Sequence, residues 1–462
     1  MHRADEATIA AISTPPGAGG IGIVRISGPL AVPILEAVFR PKKARFPFES
    51  HRLHYGHLLE PQSGRILDEV LAVYMAAPHT YTREDVVELH CHGSYLVLQN
   101  VLEVVLAGGA VLAAPGEFTK RAFLNGRIDL TRAEAVIDIL SARTRKGIDL
   151  AQEQLAGALY RRIEPIRARL MRMRALIEVA IDFPDEEVEI ADHHLLLEQL
   201  QEEVAGPLSK LLGNAERGRL YRQGVSIVIA GLPNVGKSSL LNALLQEERA
   251  LVTSVPGTTR DSIEEVIDVY GIPVRIIDTA GIRDTTGEVE TLGIQRAREL
   301  INSADLVVFL VDGAKGVGEG DVDLYRQLRH KPLLPVVNKI DLCGGRLPDM
   351  SPLAGVESWL TLSAKHQEGI EELKQAIFSR FTAGSGEQWE EEGCAPNLRH
   401  KAALQQALQA CERLALSLES GLSNDLLAVD LQECLDCLSV IVGETTTEDI
   451  LDVIFAEFCL GK

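Results

Sequence analysis

The octapeptide GLPNVGKS, Gly231 to Ser238, constrains the fold more than any other stretch. It matches G-x-x-x-x-G-K-[ST] and stands between an apolar run, VSIVIA, and a helical one, SLLNALL. A strand, a glycine loop and a helix in that order are what a phosphate-binding loop requires. The glycines let backbone N–H groups turn toward phosphate oxygens, Lys237 neutralises β and γ charges, and the Ser238 hydroxyl can ligate Mg²⁺. Asn234, Val235, Gly236 and Ser239 complete the expected lining of the loop.

Around this loop, VSIVIAG, VRIIDTAG, DLVVFLVDG, LLPVVNKID and WLTLS are each apolar and each followed by a helical stretch. That alternation predicts a parallel, doubly wound sheet. Residues 1–120 read differently, as short β-rich runs with Pro/Gly punctuation, hence a mixed α/β domain. Residues 121–219 read as helical, with Leu155, Leu159, Ile163, Ile166, Leu170, Met173 and Ile177 on one stripe. After the acidic segment AGSGEQWEEEG, helical periodicity resumes and residues 383–462 carry it through Leu404, Leu408, Cys411, Leu414 and Leu418. Helical segments on both sides imply that the sheet domain, 220–382, is inserted into one helical domain.

The remaining nucleotide elements follow in order. Asp278 closes a strand where its carboxylate can support the Mg²⁺ shell, and Gly281 can offer an N–H to a γ-phosphate, with Thr279 and Ala280 between them. In NKID, Asn338, Lys339 and Asp341 read as base recognition. A carboxylate at Asp341 accepts from guanine N1–H and N2–H₂, which adenine cannot reproduce. Ser363, Ala364 and Lys365 fit the loop that gives guanine O6 a backbone N–H. The expected nucleotide is therefore GTP. Many GTPases place a water-orienting glutamine after the DTAG glycine, and here that position is Ile282. The water must be positioned from elsewhere.

The formal net charge of -20 argues against a broad phosphate-binding surface. One local exception is YRRIEPIRARLMRMR, residues 160–174, although a solvated helix face is the plainer reading. The chain has no run of 18 apolar residues and its N-terminal stretch lacks a signal-peptide core, so no membrane association is expected. Seven scattered cysteines, an odd number, fit a reducing cytoplasmic location. The match of Gly17–Gly22 to G-x-G-x-x-G precedes a strand-like run, which disfavours a dinucleotide site. His90 and His92 share one strand face without a further apparent metal ligand, so packing is the better reading than zinc. Cys434 and Cys437 form a lone CxxC in a helical pattern, read as packing residues.

The loop sequence, with GTTRD at 257–261 and an apolar residue after DTAG, resembles the Era-like GTPases. The flanks narrow this. TIAAISTPPGAGGIGIVRISG, YTREDVVELHCHGS, PGEFTKRAFLNGRIDLTRAEAV and the terminal FCLGK resemble the MnmE (TrmE) family of tRNA-modification GTPases from end to end. The resemblance implies an N-terminal α/β folate-binding and dimerisation domain, a helical bundle domain in two segments, and an inserted P-loop GTPase domain. It implies a cytoplasmic homodimer that joins the FAD-dependent protein MnmG in a heterotetramer. Together they would install an aminomethyl or carboxymethylaminomethyl group at C5 of the wobble uridine of certain tRNAs. The one-carbon donor would be a tetrahydrofolate derivative, 5-formyl- or 5,10-methylenetetrahydrofolate.

By the same resemblance, K⁺ takes the place of an arginine finger, held by Asn234, Thr253, Val255 and Thr258. Ser254, Pro256 and Gly257 complete that GTP-lining loop, and Thr259 joins Ser238 on Mg²⁺. Glu290 positions the attacking water, which answers the question raised by Ile282. Folate contacts fall on Arg25, Glu88, Arg127 and Lys462, Arg127 standing where some members have lysine. A cation set suits folate carboxylates and Glu88 suits a pterin edge. The FCLGK tail is expected to reach the folate site, its own or a dimer partner's, with Cys459 more a packing residue than a nucleophile. Two other functions compete: a ribosome-assembly GTPase, disfavoured by the absence of a basic RNA-binding module, and a folate-dependent aminomethyltransferase with a regulatory G domain.

Overall fold

A computed structural model describes residues 7–43, 46–183, 192–247, 264–278, 299–344, 349–350, 352–353, 358–382 and 394–461. The chain divides into two compact units. One comprises residues 1–137, 155–204 and 406–462, and the other 138–154 and 205–405.

The first unit is built on β1 (Ile9–Ile12), β2 (Gly19–Ser27), β3 (Phe39–Pro41), β4 (Arg52–Leu59), β5 (Ile66–Met75), β6 (Val86–Gly93) and β7 (Val111–Leu112). They form one sheet in the order β3-β4-β5-β6-β2-β1-β7, antiparallel except where β1 meets β7. Alternation along the strands buries one face. Val24, Ile26, Val87 and Leu89 point into a core with Ile34 and Leu35 of the helix Ala31–Val38 and Leu98, Val101 and Val105 of the helix Tyr95–Ala107. The strand beginning at Gly19 runs where a dinucleotide fingerprint would need a helix.

The helical part of this unit follows the expected periodicity with one break. Leu159, Ile163, Ile166, Leu170, Met173 and Ile177 of the helix Ala158–Asp182 are buried. Leu155 instead ends the preceding helix, Arg145–Leu155, and is exposed. Gly157, at φ 88°, interrupts the helical path between them, so the stripe starts one turn later. Nor do all the arginines face water. Arg167 is buried against Glu444 and Glu164, while Arg169 pairs with Glu203 and Arg174 with Glu178.

In the second unit, β8 (Val225–Ala230), β9 (Glu264–Val269), β10 (Ile272–Asp278), β11 (Leu306–Asp312), β12 (Leu333–Asn338) and β13 (Leu360–Thr361) form a sheet ordered β13-β12-β11-β8-β10-β9. All neighbours are parallel except β9, an antiparallel edge strand that the sequence reading does not include. Every residue of β8 and β11 is buried, as a sheet covered on both faces demands. Ile227, Ile229, Val308 and Leu310 face one core, with Leu240 and Leu244 of the helix Lys237–Glu247. Val307, Phe309 and Val311 face the other, with Leu328 of the helix Glu319–Leu328. No helix among the described residues is long and apolar enough to cross a membrane.

Candidate functional site

The phosphate loop springs from the end of β8 and winds into the helix Lys237–Glu247. Its backbone demands particular residues. Gly236 has φ 102°, and a Cβ there would stand 2.2 Å from the Asn338 Nδ2 atom. A Cβ on Gly231 would meet the Leu310 carbonyl at 2.4 Å. Asn234, at φ 65°, is one of the few residue types that adopt the left-handed region readily. Lys237 Nζ donates to the carbonyls of Gly231 at 3.1 Å and Leu232 at 3.0 Å, so the loop is curled around the ammonium. Ser238 and Ser239 are exposed in the first helical turn.

The base-recognition loops are tied directly to this cradle. Asn338, buried at the end of β12, donates from Nδ2 to the Val235 carbonyl at 2.9 Å, and its Oδ1 accepts from the Ala364 N–H at 3.0 Å. Lys339, itself at φ 65°, donates from Nζ to the Asn234 carbonyl at 2.6 Å and pairs with Asp312 at 2.7 Å. The Ser363 hydroxyl donates to Asp341 Oδ1 at 2.7 Å and holds that carboxyl below the usual aspartate range, with His366 and Lys365 contributing positive charge. Asp341 therefore stays an acceptor across the physiological range, as recognition of guanine N1–H requires.

Asp278 ends β10, its Cα paired in parallel register with Ile229 of β8. Thr253, Ser254, Val255, Pro256, Gly257, Thr258, Thr259, Thr279, Ala280, Gly281, Ile282 and Glu290 lie outside the described residues. The described residues thus bring together the phosphate loop, NKID and the Ser363–Lys365 loop. Asp312 belongs with them and no sequence argument found it. Its only local signal is a carboxylate at the end of an apolar strand, which is common to many folds.

A second set converges in the other unit. Arg25 on β2 and Glu88 on β6 are register partners, and Arg25 Nε donates to Glu88 Oε1 at 2.8 Å with both side chains only partly exposed. Arg25 Nη1 also donates to the Gly461 carbonyl at 3.3 Å, within the same chain. Gly461 has φ 84°, and a Cβ would be 2.5 Å from the Ile12 carbonyl. Phe458 anchors the tail beside Phe455 and Leu451, and the Cys459 carbonyl accepts from the Gly116 N–H at 3.4 Å. Cys459 itself is exposed, and Lys462 lies outside the described residues.

Arg25 sits 5.7 Å from the Phe118 ring centroid and Arg127 sits 4.8 Å from that of Tyr81. Phe118 and Tyr81 pack in one cluster, so both cations stand on a common aromatic floor. That floor is a feature the sequence reading missed. The two strand histidines do share a face but turn to different carboxylates. His90 faces Glu88 at 3.2 Å, and His92 faces Asp68 at 2.7 Å. Cys91, between them in sequence, turns to the opposite face and into the core, where burial pushes its thiol up to about 12. In the helix Asn424–Val442, Cys434 is fully buried with its Sγ 3.8 Å from that of Cys411, while Cys437 is half-buried.

Comparison with known proteins rests on both units. A family described as "GTP-binding protein TrmE N-terminus" matches residues 8–127, and one described as "MnmE helical domain" matches residues 130–459. The chain is 61% identical to the tRNA modification GTPase MnmE of Desulfotalea psychrophila, over 100% of both chains. The chain belongs to the MnmE family of tRNA-modification GTPases. MnmE of Geobacter sulfurreducens is 47% identical over 99% of each chain, so the match extends across the family and is not confined to one relative. Membership makes the chain a GTPase acting in tRNA modification.

Proposed function

We propose that this MnmE chain couples GTP hydrolysis to one-carbon transfer from a bound tetrahydrofolate derivative. With MnmG, it would add an aminomethyl or carboxymethylaminomethyl group at C5 of the wobble uridine. The observation that carries the folate reading is the contact of Arg25 with both Glu88 and the Gly461 carbonyl. It gathers a cation, an acceptor carboxylate and the tail at one place. A partly buried guanidinium and carboxylate suit a ligand with its own carboxylates and a hydrogen-bonding pterin edge. Arg127, over Tyr81, would supply a second cation and Lys462 a third.

At the nucleotide site, the residues fit GTP. Gly236 leaves room that a Cβ would fill, Lys237 and the loop N–H groups bind phosphates, and Asp341 reads guanine. Ser238 and Thr259 would hold Mg²⁺, with Asp278 supporting its shell; bound there, the ion neutralises charge on the β- and γ-phosphates. Asn234 with Thr253, Val255 and Thr258 would hold K⁺, which supplies the positive charge an arginine finger gives elsewhere. Ser254, Pro256, Gly257, Thr279 and Ala280 would complete the GTP-binding set, Gly281 would offer its N–H to the γ-phosphate, and Glu290 would orient the attacking water by accepting its hydrogen bond.

A homodimer joined through the N-terminal unit is supported by the open face of its sheet. Leu53, Val73, Glu88 and Arg25 lie in one register row across β4, β5, β6 and β2. On the same face Leu53, Tyr55 and Leu71 of the adjacent strands β4 and β5 are exposed, apolar side chains in or beside that row. The proposed domain limits are 1–120, 121–219, 220–382 and 383–462, and the proposed location is cytoplasmic. Mass spectrometry of tRNA nucleosides from a strain lacking this gene tests the function. Loss of the C5 group at the wobble uridine is expected, and unaltered tRNA would overturn the reading.

A further inference from the structure

We infer that Asp312 is a positioning residue of the nucleotide site, one that orients the phosphate-binding N–H groups by fixing Lys339 against the Asn234 carbonyl. Asp312 closes β11, nearly fully buried, and is the register partner of Asn338 on β12. Both carboxylate oxygens are engaged. Oδ1 accepts from the Ala314 N–H at 3.0 Å, which fixes the carboxylate plane, and Oδ2 pairs with Lys339 Nζ at 2.7 Å.

Lys339 and Asn338 then hold two consecutive carbonyls of the phosphate loop. Lys339 Nζ donates to Asn234 O at 2.6 Å, and Asn338 Nδ2 donates to Val235 O at 2.9 Å. A trans peptide is planar, with its C=O and the following N–H on opposite sides. Drawing the Asn234 carbonyl toward Lys339 therefore turns the Val235 N–H the other way, and drawing the Val235 carbonyl toward Asn338 does the same for Gly236 N–H. Those are the donors that a G-x-x-x-x-G-K-[ST] loop directs at phosphate. A lysine has a flexible stem and three donors, so its head goes where its counter-charge is. Asp312 supplies that charge from a rigid strand end, and the left-handed backbone of Lys339 is the conformation that lets the stem return to the loop.

The inference rests only on guanine-nucleotide binding at this loop, so failure of the folate or tRNA readings leaves it standing. Affinity for fluorescent methylanthraniloyl-GDP would be measured in the full chain for the parent, Asp312→Ala, Lys339→Ala and the double variant. Asp312→Ala should weaken binding by about tenfold, as expected for loss of a charge-assisted contact. In the Lys339→Ala background the same change should alter affinity by less than about twofold, because its route to the loop is gone. Asp312→Asn keeps the acceptor for Ala314 N–H and the side-chain shape, so it controls for folding, and it should lie between Ala and the parent. Parent-like affinity in both Asp312 variants would overturn the inference, as would an Asp312→Ala loss that persists undiminished in the Lys339→Ala background.

Discussion

Asn338 reaches back across the nucleotide site to hold the Val235 carbonyl at 2.9 Å, while its other amide atom accepts from Ala364 at 3.0 Å. One buried side chain therefore locks the phosphate loop to the loop that reads the base. The same closeness explains why Gly236 must lack a Cβ.

Gly236→Ala puts a methyl group 2.2 Å from Asn338 Nδ2 at φ 102°. Backbone strain of roughly 1–3 kcal/mol adds to the displacement of Asn338. Both the Val235 and Ala364 contacts should be lost together. Equilibrium binding of GDP would show the affinity fall by at least about tenfold, and unchanged binding would contradict the geometry.

Asp341→Asn removes the carboxylate that Ser363 holds at 2.7 Å. Preference for GTP over xanthosine triphosphate should invert, because the base carbonyl at C2 can now be matched by an amide donor. Competition binding with the two nucleotides measures this directly. A variant that still prefers GTP would show that guanine is read elsewhere.

If K⁺ stands in for an arginine finger, exchange for the smaller Na⁺ should slow hydrolysis, and Asn234→Ala should erase most of the cation dependence. Asn234→Gly removes the same amide but tolerates φ 65°, so it separates lost coordination from backbone strain. Glu290→Ala should depress turnover with little change in GTP affinity, the signature of a group acting in the transition state. Equal rates in the two salts would refute the cation assignment.

Gly461→Ala forces a Cβ to within 2.5 Å of the Ile12 carbonyl at φ 84°. The tail should leave Arg25, and affinity for 5-formyltetrahydrofolate should drop about tenfold or more. Hydrolysis by the other unit should stay within about twofold, as independent sites behave. Deleting residues 459–462 should give the same pattern. Calorimetry and phosphate release measure the two halves, and intact folate affinity in both variants would refute the role of the tail.

The Asp68 carboxylate hydrogen-bonded to His92 raises the imidazole pKa above its usual 6.5. A raised folded value means that the contact stabilises fully below 6.5 and is lost as pH rises through the folded pKa. NMR titration of His92 should find the midpoint above 6.5, and Asp68→Asn should lower it toward that value. A parent midpoint at or below 6.5 would be inconsistent with this contact.

The nucleotide site was legible where its chemistry is local in sequence. Gly236, Lys237, Asn338 and Asp341 fall in short motifs whose spacing is set by one turn or one loop. Asp312 was not legible, because its role depends on β11 lying beside β12 in one register, a relation no local pattern encodes. Arg25 and Glu88 were found through the family resemblance, since an arginine and a glutamate far apart in sequence look like any surface pair until β2 and β6 are aligned. Strand alternation gave the parallel sheet but not β9, whose acidic residues break the apolar run expected of a buried strand. Leu155 was misplaced because periodicity does not register the turn made by one glycine.

The contact between Arg25 and Gly461 joins residues separated by 436 positions, nearly the whole chain. Closing so long a loop costs more chain entropy than pairing β2 with β6, so the sheet can set Arg25 against Glu88 before Gly461 reaches them. Loss of the tail contact would therefore leave the strand pair in place, and the site would come apart from its last-formed contact first.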